Sequence, residues 1–134
     1  MATMAKRKFN PLSYDLGDAL LARHRQICAK FLDDDPSGVP QGLVEEAIIP
    51  YKKLLEVVRA PVSLAESIGT YLEEVAEWCD AQTPRLPPIN ALAVNGLTRR
   101  PGVGYYTAPG ATEKWELDVR DCISCKRYPL KMSN

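Results

Sequence analysis

The chain has 134 residues, 46% apolar and 25% charged, which is enough for one domain with a buried core and excludes wholesale disorder. Its 17 Lys/Arg balance 17 Asp/Glu, which argues against a general nucleic-acid coat, whose affinity comes from many phosphate contacts. No apolar run approaches the roughly 18 residues of a membrane span, and the N-terminal MATMAKRKFNP lacks the apolar stretch of a secretory signal, so a soluble, cytoplasmic protein is expected.

The charge is nevertheless segregated. Residues 1–31 carry six Lys/Arg against two acids, residues 32–80 three against eleven, and residues 81–134 eight against four. An acidic middle therefore lies between two basic ends.

Residues 1–11 read as a loose basic arm with Lys6, Arg7 and Lys8. A helical part follows over residues 12–82. Its first helix is expected from about Ser13 to Leu32, because Leu16, Leu20, His24, Ile27, Cys28 and Phe31 recur at three- and four-residue spacing. Ser13 or Asp15 is its expected cap. Asp33-Asp34-Asp35-Pro36-Ser37-Gly38 ends it, since an acidic triplet opposes the helix dipole and Pro and Gly break the pattern.

Leu43, Ala47, Ile48, Tyr51, Leu54, Leu55 and Val58 form an apolar face between Gln41 and Arg59, with Pro50 in the middle. Proline lacks an amide hydrogen and clashes with the preceding turn, which predicts two segments rather than one helix. Ser63-Leu64-Ala65-Glu66 matches a capping box. The stripe Leu64, Ile68, Tyr71, Leu72, Val75, Trp78 and Cys79 then predicts a helix to about Ala81.

Residues 83–88 form a Pro-rich connector of expected polyproline geometry. Ile89 to Asn95 shows no polar alternation, which predicts a short strand buried on both faces. Val103 to Thr107 is its expected antiparallel partner, joined through Asn95–Gly102 as a two-stranded hairpin. A C-terminal helix is expected over residues 113–127 from the spacing of Trp115, Val119, Cys122, Ile123 and Lys126, although Trp115, Leu117 and Val119 also alternate as in a strand. The tail from Pro129 to Asn134 is expected to fray. The fold class is α+β: three or four helices, a small hairpin and a C-terminal helix in a single domain spanning 1–134, with residues 89–128 holding the hairpin and the last element.

The turn Thr98–Tyr106 is the leading candidate site. Arg99 and Arg100 can fork onto phosphate or carboxylate, Gly102 and Gly104 admit close backbone approach, and Tyr105 or Tyr106 can stack on a base. The bland alternative is a structural hairpin with solvated arginines. Asn90-Ala91-Leu92-Ala93-Val94-Asn95, with Thr98 and Pro101-Gly102-Val103-Gly104-Tyr105, resembles a segment of uncharacterised bacterial and phage proteins. The resemblance covers roughly residues 87–106. It implies a strand, a PG-x-G-[YF] turn, a closing aromatic element and a bacterial or mobile-element origin, and it carries no established activity.

Cys122-x-x-Cys125, with His24 and Cys28 one helical turn apart, forms a possible tetrahedral zinc set if the C-terminal element docks on the first helix. The alternative is a satisfied core histidine beside buried thiols, and no cofactor is the expectation. With one histidine and no G-x-S-x-G or H-E-x-x-H pattern, a catalytic role is not expected. The predicted function is non-catalytic binding of a phosphate-bearing ligand, a nucleotide or nucleic acid, through Arg99, Arg100, Gly102, Gly104, Tyr105 and Tyr106. The competing prediction is a protein-interaction factor, an inhibitor or adaptor of a host nuclease or defence complex, that presents Asp33, Asp34 and Asp35 as a phosphate mimic. No membrane partner is expected, and the oligomeric state is left open.

Overall fold

Asn10 starts the first helix, α1 (Pro11–Cys28): its side-chain oxygen accepts from the Leu12 amide at 2.9 Å, and Pro11 occupies the first turn, where no amide hydrogen is needed. The structure, a computed structural model, describes residues 9–132, so the Lys6–Lys8 part of the basic arm lies outside the described residues. Ser13 is not the cap. It is buried inside α1 and donates from its hydroxyl to Glu74 at 2.6 Å.

Pro50 divides the second region as its chemistry requires. Helix α2 (Gln41–Ala47) ends before it, a two-residue strand β1 (Ile49–Pro50) passes through it, and α3 (Tyr51–Val57) starts directly after it. The Arg23 guanidinium closes the end of α2, donating to the carbonyls of Glu46, Ala47 and Ile48 at 2.8, 2.7 and 3.1 Å. Helix α4 (Ile68–Asp80) buries Ile68, Leu72, Val75, Ala76 and Cys79, the expected stripe. The Ser63 capping box does not form, because residues 62–66 make a 3-10 turn of their own and α4 begins only after Ser67.

The architecture is α+β, as composition and periodicity imply, but the sheet differs from the expected hairpin. Strand β2 (Ala93–Val94) pairs in parallel with β1, Ile49 opposite Ala93 and Pro50 opposite Val94. Val103–Thr107 is not a strand. It coils into a 3-10 turn, with the Tyr105 amide bonded to the Gly102 carbonyl at 3.0 Å and the Tyr105 ring turned into the core. Of the strand expected over Ile89–Asn95, only Ala93 and Val94 extend; Ile89–Leu92 coil into a 3-10 turn, and the two strand residues, both apolar and buried, are covered on both faces as a parallel pair requires. Proline at the second residue of β1 removes a ladder donor and keeps the pair short.

Ile89 to Val94 is the chain's buried centre, every residue at most 3% exposed, and its first half packs against α1, α4 and the last helix, α5 (Trp115–Ser124). The C-terminal element is thus a helix, within the expected 113–127. The tail does not fray through residue 132. The Tyr128 hydroxyl bonds the Pro87 carbonyl, and the Met132 amide donates to Asp18 at 2.8 Å. The Met132 side chain fills the space left by Gly17, where a Cβ would lie 1.9 Å from its sulfur.

Candidate functional site

Asn95 builds the arginine turn. Its backbone amide donates to the Arg100 carbonyl at 2.8 Å, its carbonyl accepts from the Arg99 amide at 2.9 Å, and its side-chain oxygen accepts from Leu97 and Thr98. The Thr98 hydroxyl closes the loop on Arg100. Arg99 is held at φ 59°, the left-handed region that a side-chain-bearing residue seldom adopts.

The turn faces a cleft of about 320 Å³ whose wall includes Arg99, Arg100, Gln41, Glu45, Trp115 and Glu116. The Arg100 guanidinium lies 5.9 Å from the centroid of the Trp115 ring, and that ring is anchored by its own N–H to the Ala91 carbonyl at 2.7 Å. Neither guanidinium has an ion-pair partner among the described residues. Two unneutralised forks on a preorganised turn, with carboxylates across the cleft, can hold an anion and accept hydrogen bonds from the same ligand.

The six predicted residues do not share this cleft. Gly102, Gly104 and Tyr105 line a second, smaller cavity with Tyr51, Asn90 and Glu73. Tyr105 is only 7% exposed, and its hydroxyl donates to Asp118 at 2.6 Å. Burial, and then that hydrogen bond, push its ionisation far above the ordinary tyrosine range. Asp118 also accepts from the amide and hydroxyl of Thr112 at 2.9 and 2.7 Å. Tyr106 stands edge-on to the Tyr105 ring and is exposed. Sequence reasoning missed Gln41, Glu45 and Trp115 as companions of the arginines, because α2 and α5 reach the cleft only through tertiary packing.

The C-terminal element does dock on the His24–Cys28 face of α1. What His24 meets there is a carbonyl: its Nε2 lies 3.0 Å from the Cys125 oxygen, and its ring packs edge-on against Tyr128. Burial holds the imidazole below its ordinary value. The fully buried Cys122 thiol donates to the Pro88 carbonyl at 3.2 Å. Among the described residues, no three His, Cys, Asp or Glu side chains are placed to share a metal ion.

Asp33, Asp34 and Asp35 are exposed. Asp35 caps the 3-10 turn at residues 36–38 through the Ser37 amide and hydroxyl, which holds its carboxyl below the usual range. Asp34 shares a shallow cavity with Asp121, Lys126 and Arg127, so the triplet is bordered by basic groups. Comparison of the chain with protein-family models, with curated proteins and with solved structures finds no match.

Proposed function

We propose that this is a non-catalytic binding protein that takes a phosphate-bearing ligand in the cleft between the Asn95–Arg100 turn, α2 and the start of α5. One observation carries the reading: Arg99 and Arg100, neither ion-paired among the described residues, are fixed side by side on a turn that requires an unfavourable backbone at Arg99. Backbone strain that the surrounding hydrogen bonds hold in place is a mark of functional segments. Glu45 and Glu116 narrow the ligand class. They repel a long polyanion, yet they can accept from base amino groups or sugar hydroxyls, so a mononucleotide suits the cleft better than a nucleic-acid strand. The four free thiols fit the reducing cytoplasm that this reading assumes.

The test is a thermal-shift series with nucleoside mono-, di- and triphosphates and a short oligonucleotide. Stabilisation by at least one mononucleotide is expected, reduced at high salt and lost in an Arg99→Ala/Arg100→Ala double variant. Arg99→Gly serves as the folding control, since glycine accepts the left-handed backbone. No stabilisation by any of these ligands would defeat the reading.

The second reading, a protein-interaction factor acting through the acidic middle, is favoured by one feature. Leu32 is 91% exposed directly beside Asp33–Asp35, and an apolar side chain bordered by charge is a contact pattern of protein interfaces. Replacing all three aspartates with Asn should then abolish a salt-sensitive complex with a basic partner, and retention of the complex would rule this surface out.

A further inference from the structure

A thiol and an amine meet where the end of α1 faces the segment after α5. Cys28, the last residue of α1, is half-buried, and the Lys126 nitrogen lies 3.4 Å from its sulfur. The same nitrogen donates to the Phe31 carbonyl and sits 5.5 Å from the centroid of the Phe31 ring. These contacts hold an otherwise flexible side chain at the sulfur, and Lys126 has no ion-pair partner among the described residues. The sulfur also lies 3.9 Å from the Cys125 carbonyl oxygen, which the His24 Nε2 approaches at 3.0 Å.

The other thiols are placed differently. Cys79 and Cys122 are 1% and 0% exposed, the first accepting from the Ile89 amide and the second donating to the Pro88 carbonyl. What Cys125 brings to Cys28 is its carbonyl. Cys28 is thus the thiol that solvent reaches and that touches a nucleophilic nitrogen. A sulfenic acid formed on such a thiol condenses with a nitrogen in contact with it.

We propose that Cys28 and Lys126 form a peroxide-responsive crosslink, a reversible covalent S–N bond between the end of α1 and the segment that follows α5. The Cys28 thiolate attacks one oxygen of hydrogen peroxide. The S–O bond forms, the O–O bond breaks, and the departing hydroxide takes a proton from the Lys126 ammonium and leaves as water. The neutral amine then attacks the sulfenic sulfur. The S–N bond forms, the S–OH bond breaks, and the hydroxyl leaves as a second water with a proton from the nitrogen. One peroxide is reduced to two waters and the sulfur is oxidised. Dithiothreitol reverses the bond: one of its thiols displaces the amine from sulfur, and the other then frees Cys28. The bond joins residues 98 positions apart, which restricts the unfolded chain. It shares no residue with the arginine cleft and does not depend on what that cleft binds.

Intact-mass measurement and peptide mapping of the full chain after brief peroxide treatment test the proposal. The expected product is about 2 Da lighter than the reduced protein, with one peptide pair joined through Cys28 and Lys126. Dithiothreitol should restore the original mass, and the crosslinked form should show a higher denaturant midpoint. Lys126→Arg, an exposed position that keeps its charge, should abolish the crosslink while Cys28 still oxidises and is trapped by dimedone. Cys28→Ser should abolish both. Cys125→Ser should leave the crosslink in place, which separates it from a disulfide. Oxidation of Cys28 with no joined Lys126 peptide, a mass loss that disappears in Cys125→Ser, equal crosslinking in urea, or no oxidation of Cys28 would each overturn the proposal and leave Lys126 as an anchor for the Phe31 carbonyl alone.

Discussion

Arg99 and Arg59 share a left-handed backbone, φ 59° and 62°, a conformation that costs a residue with a Cβ about 1 kcal/mol or more. The two are strained for different reasons. Arg59 follows α3, where its amide bonds the Glu56 carbonyl at 3.0 Å and the Ala60 amide reaches back to Leu55 at 2.9 Å, the helix ending that glycine normally supplies. Arg59→Gly should therefore stabilise the protein by about 1 kcal/mol, read as a higher denaturant midpoint, with ligand binding at the arginine cleft intact. Arg99→Gly should stabilise it similarly and lose nucleotide binding. His24 gives the pH dependence. Its folded value is lowered by burial, with Nε2 donating to Cys125 and Nδ1 unpartnered, so the unfolded chain takes up a proton first as pH falls. The contribution is fully present above the unfolded value of about 6.5 and declines below it as pH falls toward the lowered folded value. Stability measured between pH 8 and pH 5 should fall more steeply in the native protein than in His24→Gln.

Helix α2 is too short to hold by propensity, at seven residues with no side-chain cap at its start. What closes its end is Arg23 from α1, with three charge-assisted bonds to carbonyls. Arg23→Met keeps most of the aliphatic stem and removes the fork, so a loss of about 2 kcal/mol is expected, measured by denaturant unfolding. Arg23→Lys should recover only part of it, because an ammonium cannot span three carbonyls as a planar fork does. Helix α5 is fixed by a comparable device of opposite charge: Asp118, 1% exposed, gathers Tyr105 and Thr112 onto its first turns. This is why residues 103–107 coil inward rather than extending beside β2.

At the scale of the molecule, the C-terminal tail belongs to the core. Tyr128 lies against His24 and the Pro-rich connector, and Met132 is 7% exposed in the hollow over Gly17. Truncation after Arg127 should cost about 3 kcal/mol from the lost apolar burial. Equal unfolding midpoints for the full and truncated chains would show that the tail contributes nothing. The sequence by itself determined the helical faces of α1 and α4, the interruption at Pro50, the apolar burial of 91–94 and the arginine turn, because periodicity and proline chemistry are local; residues 113–127 fit helix and strand spacing alike, and packing decided them. Only the tertiary structure decided that β2 pairs with Ile49–Pro50, that Arg99 and Arg100 face a different cavity from Gly102, Gly104 and Tyr105, and that His24 meets a carbonyl instead of thiolates. Each of those outcomes depends on partners about 25 to 100 residues away along the chain, chosen by which surfaces fit together, and hydrophobic spacing within one segment carries no record of that choice.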